Sequence, residues 1–150
     1  MIFWPARAAI RSIWIFFWTK LPSYPWTAWP YTCQCGEGKS RRSLIVDSEK
    51  AVPLAIAANE LIHNAIDHGF KDMEKGTLVV GTEIRGSDLH VYIRNDGHPL
   101  ADDFSTKTFD LGLQIVRNLS EIELKGKFSL KNENHMVTAD IDCPLSVMEG

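Results

Sequence analysis

The spacing of apolar residues over positions 54 to 65 is that of a helix with one buried side. The apolar positions are Leu54, Ala58, Leu61, Ile62 and Ala65. Residues at these intervals share one face, so the pattern predicts an amphipathic helix packed against a core. Asp47 or Ser48 is suited to cap its start, Pro53 falls near its first turn, and Gly69 is expected to stop it.

Strand-like segments lie on both sides of this helix. A short β-type run covers residues 43–46, and residues 77–84 and 89–94 are rich in strand-forming residues, with turn residues at 86–88 between them. In the later segment, Leu89, Val91 and Ile93 alternate with His90, Tyr92 and Arg94, which predicts one buried face. A polar loop over 95–109, a helix over 111–123 and a hairpin built from 128–130 and 136–141 follow.

This order of elements predicts an α+β fold. We expect a two-layer α/β sandwich, in which helices lie on one face of a mixed, mostly antiparallel sheet. The 150 residues allow one domain with an extension. A net charge of -3 indicates no nucleic-acid partner, because such proteins carry clustered basic residues.

The first forty residues differ from the rest, because all five tryptophans lie there. The apolar run from Ala8 to Trp18 is shorter than the roughly 20 residues of a membrane span. We therefore interpret residues 1–40 as an N-terminal extension or a truncated upstream region that ends in a polar linker, residues 41–146 as the folded domain and residues 147–150 as a tail. An interfacial membrane helix within residues 1–30 and a poorly ordered tail are the alternatives.

The three cysteines, Cys33, Cys35 and Cys143, indicate reduced thiols and a cytoplasmic location. An odd number of cysteines in a chain of this length is not a disulfide framework. Cys33 and Cys35 also lack the spacing typical of zinc ligands.

Polar side chains on the first helix are candidates for a metal–phosphate site. Glu60, Asn64 and His68 are spaced i, i+4 and i+8, so they lie along one face. Carboxylate and amide oxygens suit Mg²⁺, which is usually shared with substrate phosphates. Taken alone, however, the same pattern is more typical of a solvated helix face.

Two later segments add candidate ligand-binding residues. Asn95, Asp96 and Gly97 follow a strand, where side-chain oxygens could accept from an adenine amino group and glycine allows close approach to a flat base. Gly112 lies at the opening of a helix, where free backbone N–H groups favour phosphate. Each segment alone is a weak signal, since Asn-Asp-Gly is also a common turn.

In this order and spacing, the three segments resemble the motifs of the GHKL ATPases, the superfamily of sensor histidine kinases and gyrase-type topoisomerases. Residues 59–69 resemble the asparagine box, residues 95–97 the first glycine box and residues 111–116 the second. Residues 126–144 resemble the closing hairpin of kinase ATPase domains. The Leu-Gly-Leu-Gln-Ile-Val sequence is most similar to that of bacterial sensor histidine kinases.

The resemblance implies ATP and Mg²⁺ as cofactors and a role for each matching residue. Glu60 resembles the acid that orients or deprotonates the attacking group, Asn64 the Mg²⁺ ligand and His68 a basic residue at the phosphates. Asn95 takes the place of the aspartate that reads adenine, and Gly97 would line the base pocket. The phosphates would meet Gly112 and Leu113.

Three residues depart from the family pattern. At Asn95 an amide replaces a carboxylate, and Pro99 stands where a further glycine is common. Asp110 precedes the second glycine box and places a carboxylate near the expected triphosphate, which is repulsive unless it faces water or Mg²⁺.

These features predict the ATP-binding catalytic domain of a two-component sensor histidine kinase, a phosphotransferase. The segment before His63 holds no histidine, so we expect the phosphoacceptor histidine hairpin, or a response regulator, to act in trans. An anti-sigma-factor type of serine kinase and a degenerate nucleotide-binding regulatory module are the alternatives.

Overall fold

The structure is a computed structural model and describes residues 2–4, 31–36 and 44–149. Its strands are β1 (Ile2–Trp4), β2 (Tyr31–Gly36), β3 (Leu44–Val46), β4 (Gly76–Arg85), β5 (Asp88–Asn95), β6 (Lys127–Glu133) and β7 (Met136–Pro144). Its α-helices are α1 (Ser48–Asn64), α2 (Leu111–Asn118) and α3 (Leu145–Met148). Wider π-helical turns extend α1 over Ala65–Gly69 and α2 over Leu119–Glu123, and a 3₁₀ turn covers Thr106–Thr108.

The larger sheet has the strand order β2-β4-β5-β7-β6. Strand β2 pairs with β4 in parallel, and the other neighbours pair antiparallel. Strands β1 and β3 form a separate antiparallel pair. The predicted α+β class, with a mixed and mostly antiparallel sheet, is confirmed.

Helices α1 and α2 pack on the sheet face that carries Val91 and Ile93. The apolar side chains of α1, such as Ala57 and Leu61, are buried in one core with those strand residues and with Val116 of α2. Burial of each large side chain contributes about 1.5 to 3 kcal/mol, so this layer holds the two helices firmly on the sheet.

The two helices run antiparallel. Lys50 Nζ donates a 3.0 Å hydrogen bond to the Glu123 carbonyl at one end. At the other end, Gly112 lies beside Glu60 and Asn64. The end of α1 and the start of α2 therefore lie side by side.

Both ends of α1 differ in detail from the sequence prediction. Asp47 caps the helix by accepting from the Glu49 amide at 2.9 Å, and Pro53 lies inside the helix rather than near its first turn. The chain leaves the helical region at Gly69, as expected, but the glycine is required by packing. A Cβ there would lie 2.5 Å from Asn95 Nδ2.

The face of β5 that carries His90 is also covered. The alternation in its sequence predicted that only the opposite face is buried. His90 is only 2% exposed. Its Nδ1 lies 2.6 Å from Asp142 Oδ1, and its Nε2 lies 3.2 Å from Asp140 Oδ1. The neighbouring strand β7 thus supplies carboxylates that make burial of an imidazole favourable.

The expected domain limits, residues 41 and 146, stay predictions. Strand β2 pairs with the sheet although it lies before residue 41, and Met148 is fully buried although it lies after residue 146. The apolar run 8–18 and most of the predicted linker fall outside the described residues. Among the residues described, no helix is long and apolar enough to span a membrane.

Candidate functional site

A cleft of about 270 Å³ lies between the end of α1, strand β5 and the start of α2. This volume is close to the lower end of the range of small-molecule pockets, roughly 300 to 1,000 Å³. Most of the lining is apolar, and the polar lining residues are Asn64, His68, Asn95, His98, Thr108 and Asp110. An apolar cleft with a few polar groups suits a flat base that carries a charged tail.

Three side-chain oxygens converge on Gly112 at the start of α2. A methyl group at Gly112 would lie 3.1 Å from Glu60 Oε2, 3.5 Å from Asp110 Oδ1 and 3.8 Å from Asn64 Oδ1. Because Gly112 has no side chain, there is open space between its backbone and the three oxygens. Gly112 does not have a positive φ, so space rather than backbone conformation distinguishes a glycine at this position.

The chemistry of this oxygen set fits Mg²⁺. Magnesium takes oxygen ligands, keeps several waters and is commonly shared between one or two carboxylates and substrate phosphates. Among the described residues, no group of three or more histidine, cysteine, aspartate or glutamate side chains could hold a metal ion. Asn64 and Glu60 carry the oxygens that would meet a magnesium ion shared with an anionic ligand.

Asp110 is the N-cap of α2. Its Oδ1 accepts a 2.9 Å hydrogen bond from the Leu113 amide. The first amides of a helix have no acceptor within the helix, so the amides of Leu111 and Gly112 are the ones left for a ligand. His68 Nε2 lies 3.9 Å from Asp110 Oδ2, and both side chains are more than half exposed.

Asn95 forms the buried end of the cleft. It is the last residue of β5 and is only 4% exposed. Its Nδ2 atom is buried without a hydrogen-bond partner and lies against Gly69 and Gly97. An unpaired buried amide costs about 1 to 3 kcal/mol, which a ligand that pairs with it would recover.

Asp96 and Gly97 hold the turn after β5 and do not line the cleft. The Asp96 carboxylate accepts from the Thr77 amide at 2.7 Å, which ties the turn to β4. A Cβ at Gly97 would overlap the Gly69 carbonyl, which itself accepts from the His98 amide at 2.7 Å. Both residues therefore help to position Asn95, and their predicted contact with a base stays a prediction.

The segment from residue 97 to residue 110, here called the lid, is fastened to strand β6. Asn132 Oδ1 accepts from the Leu100 amide at 2.9 Å, and its Nδ2 donates to the Leu100 carbonyl at 3.0 Å. The ring of Phe109 lies 5.7 Å from that of Phe104 and 5.9 Å from that of Phe128. Polar and aromatic contacts together hold the lid over the cleft.

The structure brings together part of the predicted set. Asn64, His68, Asn95 and Leu113 line the cleft, and Glu60 and Gly112 adjoin it. Sequence reasoning missed His98 and Thr108 in the lining and Asn132 behind the lid. No local pattern identifies these three, because the tertiary packing of the lid places them.

Cys143 is not part of the site. It lies in β7 and is fully buried. Burial raises the pKa of its thiol to about 12, with smaller contributions from the negative charges of Asp142 and Asp88. A thiol this weakly acidic is inert, so a cysteine nucleophile is excluded at this position.

The sequence is similar to that of a sensor histidine kinase. It is 36% identical over 90 residues to the sensor histidine kinase PdtaS of Mycobacterium tuberculosis, and 36% identical over 88 residues to PdtaS of Mycolicibacterium smegmatis. These matches cover 59% and 57% of this chain but only 18% of either relative, so the chain spans under a fifth of their length. No protein-family profile matches the chain.

Similar folds occur among solved histidine kinases. The histidine kinase domain of the blue-light activated kinase EL346 from Erythrobacter litoralis has a TM-score of 0.72 at 21% identity, with 92% of this chain and 61% of that chain covered. The catalytic domain of the histidine kinase ThkA has a TM-score of 0.71 at 22% identity, with 96% of both chains covered.

The fold is that of the catalytic domains of solved histidine kinases, and the cleft lies between its two helices and the sheet. The resemblance to the GHKL ATPase domain of sensor histidine kinases, first seen in three short motifs, is confirmed by the fold and by the relatives.

Proposed function

We propose that this chain is the ATP-binding catalytic domain of a two-component sensor histidine kinase. It would bind Mg-ATP with the adenine at Asn95 and the phosphates toward Gly112, and would supply the γ-phosphoryl group to a histidine elsewhere. The observation that carries the proposal is the convergence of Glu60, Asn64 and Asp110 oxygens around Gly112, next to an apolar cleft.

The residues of the chain have distinct roles in this proposal. When bound, Mg²⁺ would neutralise phosphate charge, and the Asn64 amide oxygen would be its protein ligand. The Glu60 carboxylate adjoins the same position and would orient the attacking imidazole or accept its proton. The exposed imidazole of His68 and the amides at the start of α2 would hold the phosphate oxygens. Such positioning and charge stabilisation account for most of the catalysis in phosphoryl transfer.

The partner in this proposal is a phosphoacceptor histidine hairpin or a response regulator. The histidine kinase ThkA has been solved in complex with the response regulator TrrA, and this chain shares its fold at a TM-score of 0.67 and 19% identity. The proposal places the reaction in the cytoplasm, where nucleotide and Mg²⁺ are available.

A second candidate function is a degenerate module that regulates without transferring phosphate. It is supported by Asp110, whose carboxylate caps the helix end expected to receive phosphate. Under this alternative, the negative charge of Asp110 would keep nucleotide affinity low, and the domain would act through a partner surface.

Phosphoryl transfer tests these alternatives directly. The chain would be incubated with γ-labelled Mg-ATP and a supplied histidine hairpin. Acid-labile phosphate on the hairpin is the expected result, whereas acid-stable phosphate on a serine of a protein partner would indicate the anti-sigma type of kinase. No transfer, and no rise in melting temperature at millimolar nucleotide, would favour the degenerate module.

A further inference from the structure

Asn95 presents a carboxamide at the buried end of the cleft, and this group differs from a carboxylate in what it can recognise. A carboxamide carries both a donor and an acceptor, and rotation by half a turn exchanges their positions. A carboxylate only accepts. The hydrogen-bonding pattern at this end of the cleft is therefore not fixed by the side chain.

The environment of Asn95 makes it the group that reads the edge of a base. The side chain is buried, its Nδ2 is unpaired, and the cleft beside it is apolar, with Ile93 and Val137 in the lining. The charged tail of a nucleotide would lie instead toward Asp110 and the exposed His68. A flat ring with a polar edge thus fits the end formed by Asn95.

We infer that Asn95 allows the cleft to accept 6-oxopurine nucleotides as well as adenine nucleotides. This inference rests on the proposed function, because it requires that the cleft binds a nucleotide. Adenine offers a donor at its 6-amino group and an acceptor at N1, whereas hypoxanthine and guanine offer an acceptor at O6 and a donor at N1. The carboxamide pairs with either pattern after rotation, but a carboxylate opposes the O6 acceptor.

Inosine triphosphate is the sharpest probe, because its base differs from adenine only in the pattern at positions 6 and 1. Dissociation constants would be measured by calorimetry for the Mg²⁺ complexes of ATP, ITP and CTP. We expect ITP to bind within tenfold of ATP and CTP to bind at least tenfold more weakly than either. An ITP affinity more than tenfold below that of ATP overturns the inference, and so does a CTP affinity equal to that of ATP, because the base would then not be read.

The variant Asn95→Asp tests the role of the side chain. We expect its preference for ATP over ITP to rise at least fivefold, since it has no donor for O6. Asn118→Asp adds the same charge on the exposed side of α2 and is expected to leave the preference unchanged. An unchanged preference in Asn95→Asp, or an equal rise in both variants, overturns the inference.

Different binding results would overturn this inference and the proposed function. If ATP binds and ITP does not, only the inference about Asn95 is overturned. If no triphosphate binds at millimolar concentration, both are overturned. The comparison of ATP with ITP in the unsubstituted chain does not depend on whether Asn95→Asp folds.

Discussion

The Asp110 carboxylate accepts a 2.9 Å hydrogen bond from the Leu113 amide, so a negatively charged side chain caps the start of helix α2. The same carboxylate lies near Asn64 and Glu60, around the backbone of Gly112. It thus stabilises the helix while it places negative charge where the phosphates of a nucleotide are proposed to lie.

Asp110→Asn is expected to tighten Mg²⁺-free ATP binding about fivefold, because removal of a nearby like charge is worth about 1 kcal/mol at a half-exposed site. Asparagine caps helices as well as aspartate does, so the free energy of unfolding should change little. Calorimetry with and without Mg²⁺ measures the affinity, and Asp102→Asn in the exposed part of the lid is the matched control. Equal or weaker Mg²⁺-free binding in Asp110→Asn would contradict the proposed repulsion.

Gly97→Ala is expected to lower the free energy of unfolding by about 2 to 4 kcal/mol, because its Cβ would overlap the Gly69 carbonyl and force the turn away. Gly86→Ala is the control. Gly86 has a φ of 59° but open space around it, so alanine there should cost only about 1 to 2 kcal/mol. Urea denaturation measures the free energy of unfolding of both variants. An equal loss in Gly97→Ala and Gly86→Ala would show that packing at Gly97 is not important.

Asn132→Ala is expected to loosen the lid without unfolding the domain. The variant loses both hydrogen bonds to Leu100, and one such bond contributes about 1 kcal/mol. Hydrogen exchange of the Leu100 amide should therefore accelerate about fivefold. Ser129→Ala, on the opposite face of β6, should leave it unchanged. Unaltered exchange in Asn132→Ala would mean that other contacts hold the lid.

Cys143 is expected to resist thiol reagents in the folded protein. In a chain with Cys33→Ser and Cys35→Ser, Cys143 should stay unlabelled at pH 8 and react fully in urea. The folded thiol has its pKa raised from 9.0 to about 12, so it stays protonated where the unfolded thiol ionises. Its contribution to stability is present below pH 9 and is lost as the pH rises from 9 to about 12. Fast native labelling would contradict its burial.

The sequence predicted the parts of the fold that depend on local periodicity. The stripe from Leu54 to Ala65 predicted α1, and the turn residues 86–88 predicted the β4–β5 hairpin, because side-chain spacing alone decides which face is buried. Asn64, His68 and Asn95, which the motif resemblance assigned to one site, line the same cleft although Asn95 is distant from the other two in the chain.

Features that depend on residues distant in the sequence could not be predicted from local patterns. His90 is buried because Asp140 and Asp142, some fifty residues later, lie beside it. Asn132 fastens the lid only because β6 lies at the cleft edge of the sheet. The hydrogen bond from the Thr77 amide to Asp96 Oδ1 likewise joins residues that are 19 positions apart in the sequence, and no local pattern predicts it.

The proposed magnesium–ATP site is best tested by the Mg²⁺ dependence of ATP binding in Asn64→Ala. Calorimetric titrations would compare the unsubstituted chain, Asn64→Ala and the exposed-site control Asn118→Ala, each with and without Mg²⁺. We expect Mg²⁺ to raise the ATP affinity of the unsubstituted chain and of the control at least tenfold. We expect Asn64→Ala to lose most of this gain while it keeps its melting temperature and its Mg²⁺-free affinity. An undiminished Mg²⁺ effect in Asn64→Ala would contradict the account.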